Sequence, residues 1–312
     1  MRRSTKNFMK LSPKNSSIEK FNRHPSDPFA PENFHKLRFA HRGGYVYGPE
    51  NTLKTIQTAF SNGVNAIEID LQLTANNQLV LFHDDTVERI LNCNYPFEVY
   101  DLTLRELQSI PLRHESNGTQ YVCSFRELLT FLSQELATGR RTNFMIELEI
   151  KGYGNRSDRT ISELTKILEE FNPAFGGEIY NHFFVSTFYN TVLDSLQKRN
   201  PQLKIAIALM KGAPFNKILA YLAIVFTKQL IKKYNISIVE PNLALASPRY
   251  LKKWKKRGIL LNVYTANTQG EKEYLKQYNV AYTTNCPFGV CNCEESDQMA
   301  NTPEWIQNFS LT

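Results

Sequence analysis

Long apolar runs are missing from this sequence of 312 residues. The longest, Ile218 to Phe226, is nine residues and stops at Thr227-Lys228, well short of the roughly 20 that a membrane-spanning helix requires. Secretory features are missing as well. Arg2 and Arg3 are followed by no apolar h-region, so residues 1–36 read as a basic, flexible leader and not as a standard signal peptide. A cytoplasmic location is the default, with the compartment otherwise left open. Cysteine is scarce: Cys93, Cys123, Cys286, Cys291 and Cys293 make five, an odd number without the paired CxxC spacing of structural zinc. Reduced thiols are therefore expected in place of a disulfide scaffold. Internal repeats and low-complexity tracts are also absent, which excludes solenoids and fibres.

Acidic residues are sparse in the leader, where residues 1–38 carry nine basic side chains against three acids. Most of the net charge of +7 therefore resides there, and the remainder is nearly neutral. The leader reads as a solvated tail ahead of a membrane-surface or nucleic-acid arm, and no nucleic-acid partner is expected. What is present suffices for a large core, with 42% hydrophobic and 12% aromatic residues. Short β-rich runs at 37–41, 65–71, 144–150, 182–187, 203–209, 236–240, 259–264 and 280–284 alternate with helical patterns. These include Asn51–Asn62, Asp158–Phe171, Thr191–Lys198, Pro248–Arg257 and Thr268–Tyr278. Eight strands separated by helices predict a (β/α)₈ barrel. The last helix starts at Thr268, with Glu271 placed to complete a capping box.

An extra strand at 78–83 follows the second too closely for a crossover. A two-residue Asn76-Asn77 turn would pair Ala75 with Gln78 and, counting outward, Asp70 with His83. Glu68 then shares a face with Asp70, while Ile67, Ile69 and Leu71 take the other. The third strand repeats the pattern, with Glu147, Glu149 and Lys151 on one face and Ile146, Leu148 and Ile150 on the other. In a barrel wrapped by helices the charged row must point inward, where it is costly unless paired or bound to an ion.

The first strand ends in His41-Arg42-Gly43, followed by Pro49-Glu50-Asn51-Thr52. Glu68, Asp70 and Glu149 offer hard oxygen ligands suited to Mg²⁺ or Ca²⁺. Arg42 as a planar fork and Lys151 as a point charge could hold phosphate oxygens. His41 and His83 could divide the work of general base and general acid.

In order, spacing and residue type, His41-Arg42-Gly43, Pro49-Glu50-Asn51-Thr52, Glu68-Ile-Asp70, His83-Asp84 and Glu149-Ile-Lys151 resemble the glycerophosphodiester phosphodiesterase family. The resemblance covers about residues 37–290. It implies a TIM barrel of the phosphatidylinositol-phospholipase-C-like type with a small insertion after the second-strand hairpin, here about 84–124, and leaves 291–312 as a C-terminal tail. The short helix of that insertion would fall near Asp101–Leu107, and the barrel helix after it at Phe125–Leu136. It further implies metal ligation by Glu68, Asp70 and Glu149, acid–base catalysis by His41 and His83, and phosphate contacts from Arg42 and Lys151. Glu50 and Asn51 would support the site.

Similar enzymes hydrolyse deacylated phospholipids such as glycerophosphocholine to glycerol 3-phosphate and an alcohol. The expected partner is thus a small glycerophosphodiester or a lysolipid. Membrane-surface contact through Pro214–Lys233 or the basic run Lys252–Arg257 is compatible with this reading but not required by it. The alternatives are a lysophospholipase D and a non-catalytic lipid- or phosphate-binding barrel. Two departures stand at the far wall: Tyr264-Thr265-Ala266-Asn267 where the family has tryptophan, and Thr284-Asn285-Cys286-Pro287 where it has aspartate. Both are expected to bear on substrate preference, Tyr264 as an aromatic wall and Asn285 as a lost charge.

Overall fold

The computed structural model describes residues 27–94, 96–114, 118–152, 154–210 and 227–289. Residues 1–26, most of the apolar Pro214–Lys233 segment and the 291–312 tail lie outside the described residues. Eight parallel strands close a barrel: β1 (Arg38–Ala40), β2 (Ala66–Leu73), β6 (Met145–Ile150), β7 (Phe183–Thr187), β8 (Lys204–Leu209), β9 (Ile238–Pro241), β10 (Leu260–Val263) and β11 (Ala281–Thr284). Closure comes from β1, which pairs with β2 on one side and β11 on the other. Each of these strands falls within about two residues of its sequence-predicted run. The helices fall as expected too, among them Leu53–Ser61, Phe125–Ala137, Asn155–Phe171 and Gln269–Gln277. Thr268 and Glu271 form the capping box anticipated for the last.

Alternation along the strands sorts the core into two layers. Ile67, Ile69 and Leu71 of β2 and Ile146, Leu148 and Ile150 of β6 face outward and pack under Ile56, Leu128 and Leu164 of the covering helices. The inward positions form a graded stack. Phe39, Ala66, Met145, Phe184, Ala206, Ile238, Leu260 and Ala281 make an apolar floor. Above it the register sets Glu68 beside Glu147 and Asp70 beside Glu149. The barrel is therefore dry at its N-terminal end and charged at the other, where barrel chemistry is placed.

The floor is closed by residues that the sequence reading assigned to the leader. Phe29 and Phe34 are buried against Phe184, with ring centroids 6.3 and 5.9 Å away. Folded structure thus begins by residue 27, because a barrel end lined with phenylalanine must be covered. His35, in the same plug, is 4% exposed. Burial first, and then the nearby Lys255 charge, lowers its pKa to about 4. The unfolded chain binds a proton below the ordinary histidine value of 6.5, whereas the folded chain resists it. Stability is therefore complete above that value and is lost as pH falls toward 4. The urea midpoint is expected to drop across this window, and His35→Phe should flatten the drop.

The hairpin differs from expectation by one residue. β3 (Leu79–Leu81) pairs antiparallel with β2 as Leu71↔Leu81, Gln72↔Val80 and Leu73↔Leu79, and β4 (Leu112–His114) and β5 (Gly118–Gln120) form a separate antiparallel pair. Asp70 O accepts the Phe82 N–H at 3.0 Å, so Phe82 and not His83 stands opposite Asp70. The cause is Thr74. Its hydroxyl donates to Gln78 O and accepts the Gln78 N–H, closing a three-residue loop, Ala75 to Asn77, with Asn77 at φ 57. A one-residue slip reverses every side chain of a strand. Val80 and Phe82 therefore face a separate apolar cluster with Val87, Leu91, Val99, Leu107 and Val122. That cluster is the core of the excursion between β3 and the helix Phe125–Ala137, and it includes the short helix Leu104–Leu107 near the expected place.

Cys93 and Cys123 are free thiols, as expected, but Cys286 is disulfide-bonded to a partner outside the described residues. Spacing alone could not reveal that pairing. Among the described residues no helix is long and apolar enough to cross a membrane.

Candidate functional site

The turn after β1 is built by unusual backbone. Arg42 lies at φ 51 and ψ 42, a left-handed conformation that costs a non-glycine residue free energy. It is held there by two bonds: the Arg42 N–H donates to Glu68 Oε2 at 2.7 Å, and Arg42 O accepts the Asn51 N–H at 2.8 Å. Gly43 follows at φ 79, and a Cβ there would stand 2.7 Å from Ile56 Cγ1, so only glycine fits. The tight turn folds the Pro49–Thr52 loop back over the barrel mouth. Asn51, 2% exposed, then grips Asp70 twice: Nδ2 donates to Asp70 Oδ2 at 2.8 Å and Oδ1 accepts the Asp70 N–H at 3.2 Å.

Glu68, Asp70 and Glu149 each bring one carboxylate oxygen within 4.8 Å of the others. Lys151 Nζ lies 3.0 Å from Asp70 Oδ1 and bonds Glu149. The electrostatics show strain. Burial first, then the Asp70 and Glu149 charges, pushes the Glu68 carboxyl well above its ordinary range. Burial would raise Asp70 too, but Lys151, His83 and Arg42 outweigh it and hold that carboxyl down. Glu149 is raised by burial and by Asp70 against the pull of Lys151. Glu68 Oε1 is buried with no hydrogen-bond partner, and Asp70 Oδ1 has none of proper geometry despite the nearby ammonium. Buried carboxylate oxygens short of hydrogen bonds, in a trio whose members each bring an oxygen within 4.8 Å of the others, fit a divalent cation with hard oxygen ligands.

His41 stands on the other side of Glu68, with Nε2 3.9 Å from Glu68 Oε2. Its Nδ1 is 2.6 Å from Asn285 Oδ1, which makes Nδ1 the donor and leaves Nε2 a bare lone pair. Burial, then the Arg42 charge, lowers the His41 pKa to about 4, so the ring is neutral at pH 7. Asn285 is therefore a partner of this histidine and not, as the sequence suggested, a matter of substrate wall alone. His83 reaches the site from the loop past β3, where it brings a ring nitrogen within 4.8 Å of carboxylate oxygens of Glu50 and Asp84. Its Nδ1 bonds Asp84 Oδ1 at 2.6 Å. Arg42 Nη1 is held by Glu50 at 3.0 and 3.1 Å. Tyr264 lines the opposite wall with Phe188, and the hydroxyl that needed a partner donates to Leu209 O at 2.9 Å.

All ten residues singled out from the sequence thus converge on the C-terminal mouth of the barrel. Others were missed. Below the acidic trio, Glu147 and Glu240 both accept from the Asn262 amide, at 2.8 and 3.1 Å, and Ser186 donates to Glu240. Burial raises Glu240 to about 7, and burial with the Glu240 charge raises Glu147 well above its ordinary range. The sequence placed Glu147 on the inward row but offered no sign of Glu240, a lone acid ending a short strand. Arg89, which bonds both Glu50 and Asp84, was equally invisible, because its partners lie 39 and 5 positions away in the chain.

Comparison with known proteins agrees with this geometry. Residues 41–282 match the glycerophosphoryl diester phosphodiesterase family. Glycerophosphodiester phosphodiesterase 1 of Mus musculus is 25% identical over 272 residues, spanning 81% of this chain and 78% of the relative. A glycerophosphodiester phosphodiesterase of Bacillus altitudinis is 29% identical over 55% of this chain and 66% of its own. Among solved structures, a putative glycerophosphoryl diester phosphodiesterase from Silicibacter pomeroyi superposes with TM-score 0.67 at 16% identity, covering 80% of this chain and 90% of that one. A phosphodiesterase of Oleispira antarctica, solved with the product sn-glycerol-3-phosphate, gives TM-score 0.62 at 17% identity over 88% and 97%.

Proposed function

The chain belongs to the glycerophosphoryl diester phosphodiesterase family, and from that premise we propose that it hydrolyses deacylated phospholipids such as glycerophosphocholine to glycerol 3-phosphate and an alcohol, using a divalent metal and two histidines. The observation that carries the reading is the convergence of one oxygen each of Glu68, Asp70 and Glu149 within 4.8 Å, with His41 Nε2 3.9 Å from Glu68.

Glu68, Asp70 and Glu149 would hold Mg²⁺ or Ca²⁺. Such an ion supplies charge to offset that developing on the phosphoryl oxygens. Lys151, beside Asp70, and Arg42, held by Glu50, neutralise the remaining phosphate oxygens. His41, neutral with Nε2 free, takes the proton from the attacking hydroxyl, whether of water or of the substrate's own glycerol. The phosphorus–oxygen bond to the head group then breaks; where the glycerol hydroxyl is the attacker, water opens the resulting cyclic phosphate in a second step to give glycerol 3-phosphate. His83, oriented through Nδ1 by Asp84, returns a proton to the departing oxygen. Tyr264 presents an aromatic wall to the glycerol.

The test is release of glycerol 3-phosphate and choline from glycerophosphocholine in the presence of Mg²⁺ or Ca²⁺, with lysophosphatidylcholine at matched concentration beside it. A clear preference for the acylated substrate would overturn the choice of deacylated lipid. Asn285 offers a finer check. As a neutral acceptor it lends His41 no charge, so the base form persists until pH falls through about 4. Asn285→Asp places an anion against Nδ1–H and favours the imidazolium, so the acid limb of the kcat/KM profile should move to higher pH.

A further inference from the structure

Arg89 sits on the short helix Glu88–Leu91 of the excursion, whose Leu91 is buried among Val87, Val99 and Leu107. Its guanidinium forks twice. Nε and Nη2 donate to Asp84 Oδ2 and Oδ1 at 2.6 and 2.7 Å, while Nη1 and Nη2 donate to Glu50 Oε2 and Oε1 at 2.9 and 2.8 Å. Each carboxylate has a second duty. Asp84 Oδ1 takes the Nδ1–H of His83, and Glu50 takes Nη1 of Arg42. One side chain from the excursion is thus a single bond-step behind both a histidine and an arginine of the site.

Charge explains why a guanidinium is needed there. Glu50, His83 and Asp84 also bring ligand atoms within 4.8 Å of one another. Two carboxylates so close repel and would swing apart or compete for the metal ion. A planar cation with five donors bridges both at once, which the point charge of lysine cannot. Burial would push the carboxyls of Asp84 and Glu50 up, yet the Arg89 bonds, with those of His83 and Arg42, hold Asp84 at about 2 and Glu50 below its ordinary range. Both stay anionic as acceptors.

We propose that Arg89 is a positioning residue that couples the excursion to catalysis, fixing His83 through Asp84 and Arg42 through Glu50. The proposal rests on the roles given above to His83 and Arg42. Its side chain is 52% exposed, so truncation leaves no buried void.

The experiment compares Arg89→Ala and Arg89→Lys with the parent, each loaded with Mg²⁺. With glycerophosphocholine, kcat of Arg89→Ala should fall about 10- to 100-fold, the usual effect of removing a residue that orients a functional side chain, with KM little changed. Arg89→Lys should recover only part of the loss. Added guanidinium chloride at low millimolar concentration should restore part of the rate to Arg89→Ala and none to His83→Ala. Independently of substrate, the Nδ1–H resonance of His83 in ¹⁵N-labelled protein should be sharp in the parent and broadened by exchange in Arg89→Ala. Absence of glycerophosphocholine hydrolysis in the parent would undo the substrate reading while leaving this resonance as the test. An unchanged His83 resonance overturns the coupling whatever the rates do, and so does a kcat within twofold of the parent.

Discussion

Chelation of divalent metal is expected to bring hydrolysis of glycerophosphocholine to the buffer background while leaving the fold intact. Glu68, Asp70 and Glu149 stand close enough to share one ion, and their carboxylates repel in its absence. Asp70→Asn should mimic chelation, lowering kcat/KM by about 100- to 1,000-fold, the scale set by loss of preorganised charge stabilisation at a transition state. Circular dichroism should be unchanged, since these groups belong neither to the apolar barrel floor nor to the helix-facing layer. Metal binding itself provides a readout apart from activity. The Glu68 carboxyl is held well above its ordinary range by burial, Asp70 and Glu149, so protons compete with an entering cation for it. Affinity is therefore expected to weaken as pH falls, and calorimetry in buffers of different ionisation enthalpy should register proton release. Added Mg²⁺ or Ca²⁺ should also raise the melting temperature, because the native state binds it and the unfolded chain does not. Full turnover in the presence of chelator would remove the metal from the mechanism and place this chain with barrels that cleave phosphodiesters by histidines alone.

The second large effect is expected at the histidines. His41→Ala should lower kcat by about 100- to 10,000-fold, the range for loss of a positioned general base or acid, with His83→Ala similar. Residues that act in one proton-transfer sequence are not additive, so the double variant should be only slightly slower than the worse single one. His41 is suited to the base role because burial and the Arg42 charge keep it neutral at physiological pH, while Asn285 occupies Nδ1 and leaves Nε2 open. Its side chain is 22% exposed at the barrel mouth, so truncation should cost little stability. Unaltered kcat in the double variant would dismiss acid–base catalysis by these two side chains.

The barrel itself could be read from the chain because its signals are local. Period-two alternation in β2 and β6 separates Ile67, Ile69 and Leu71 from Glu68 and Asp70 without reference to any neighbour. Once helices cover a strand on one face, its charged row has nowhere to point but inward. The clustering of His41, Glu68, Asp70, Glu149 and Lys151 then follows from strand ends meeting at one barrel mouth. The hairpin shows where such counting stops. Two asparagines suggested a two-residue turn, yet the Thr74 hydroxyl closes a three-residue loop, and the register moved by one. His83 arrives at the site all the same, carried by the loop beyond β3 and oriented by Asp84.

What the residue pattern dictated, then, was which side chains face the barrel axis and at which end. Strand periodicity and strand ends are properties of the chain alone. Tertiary structure decided which of them touch. Asn285 meets His41 across 244 positions, Glu240 joins Glu147 through Asn262, and Arg89 ties Glu50 to Asp84 from an excursion with its own apolar core. Hydrogen bonds form over about 3 Å with directional demands, and distances that short between remote segments exist only after the core has packed.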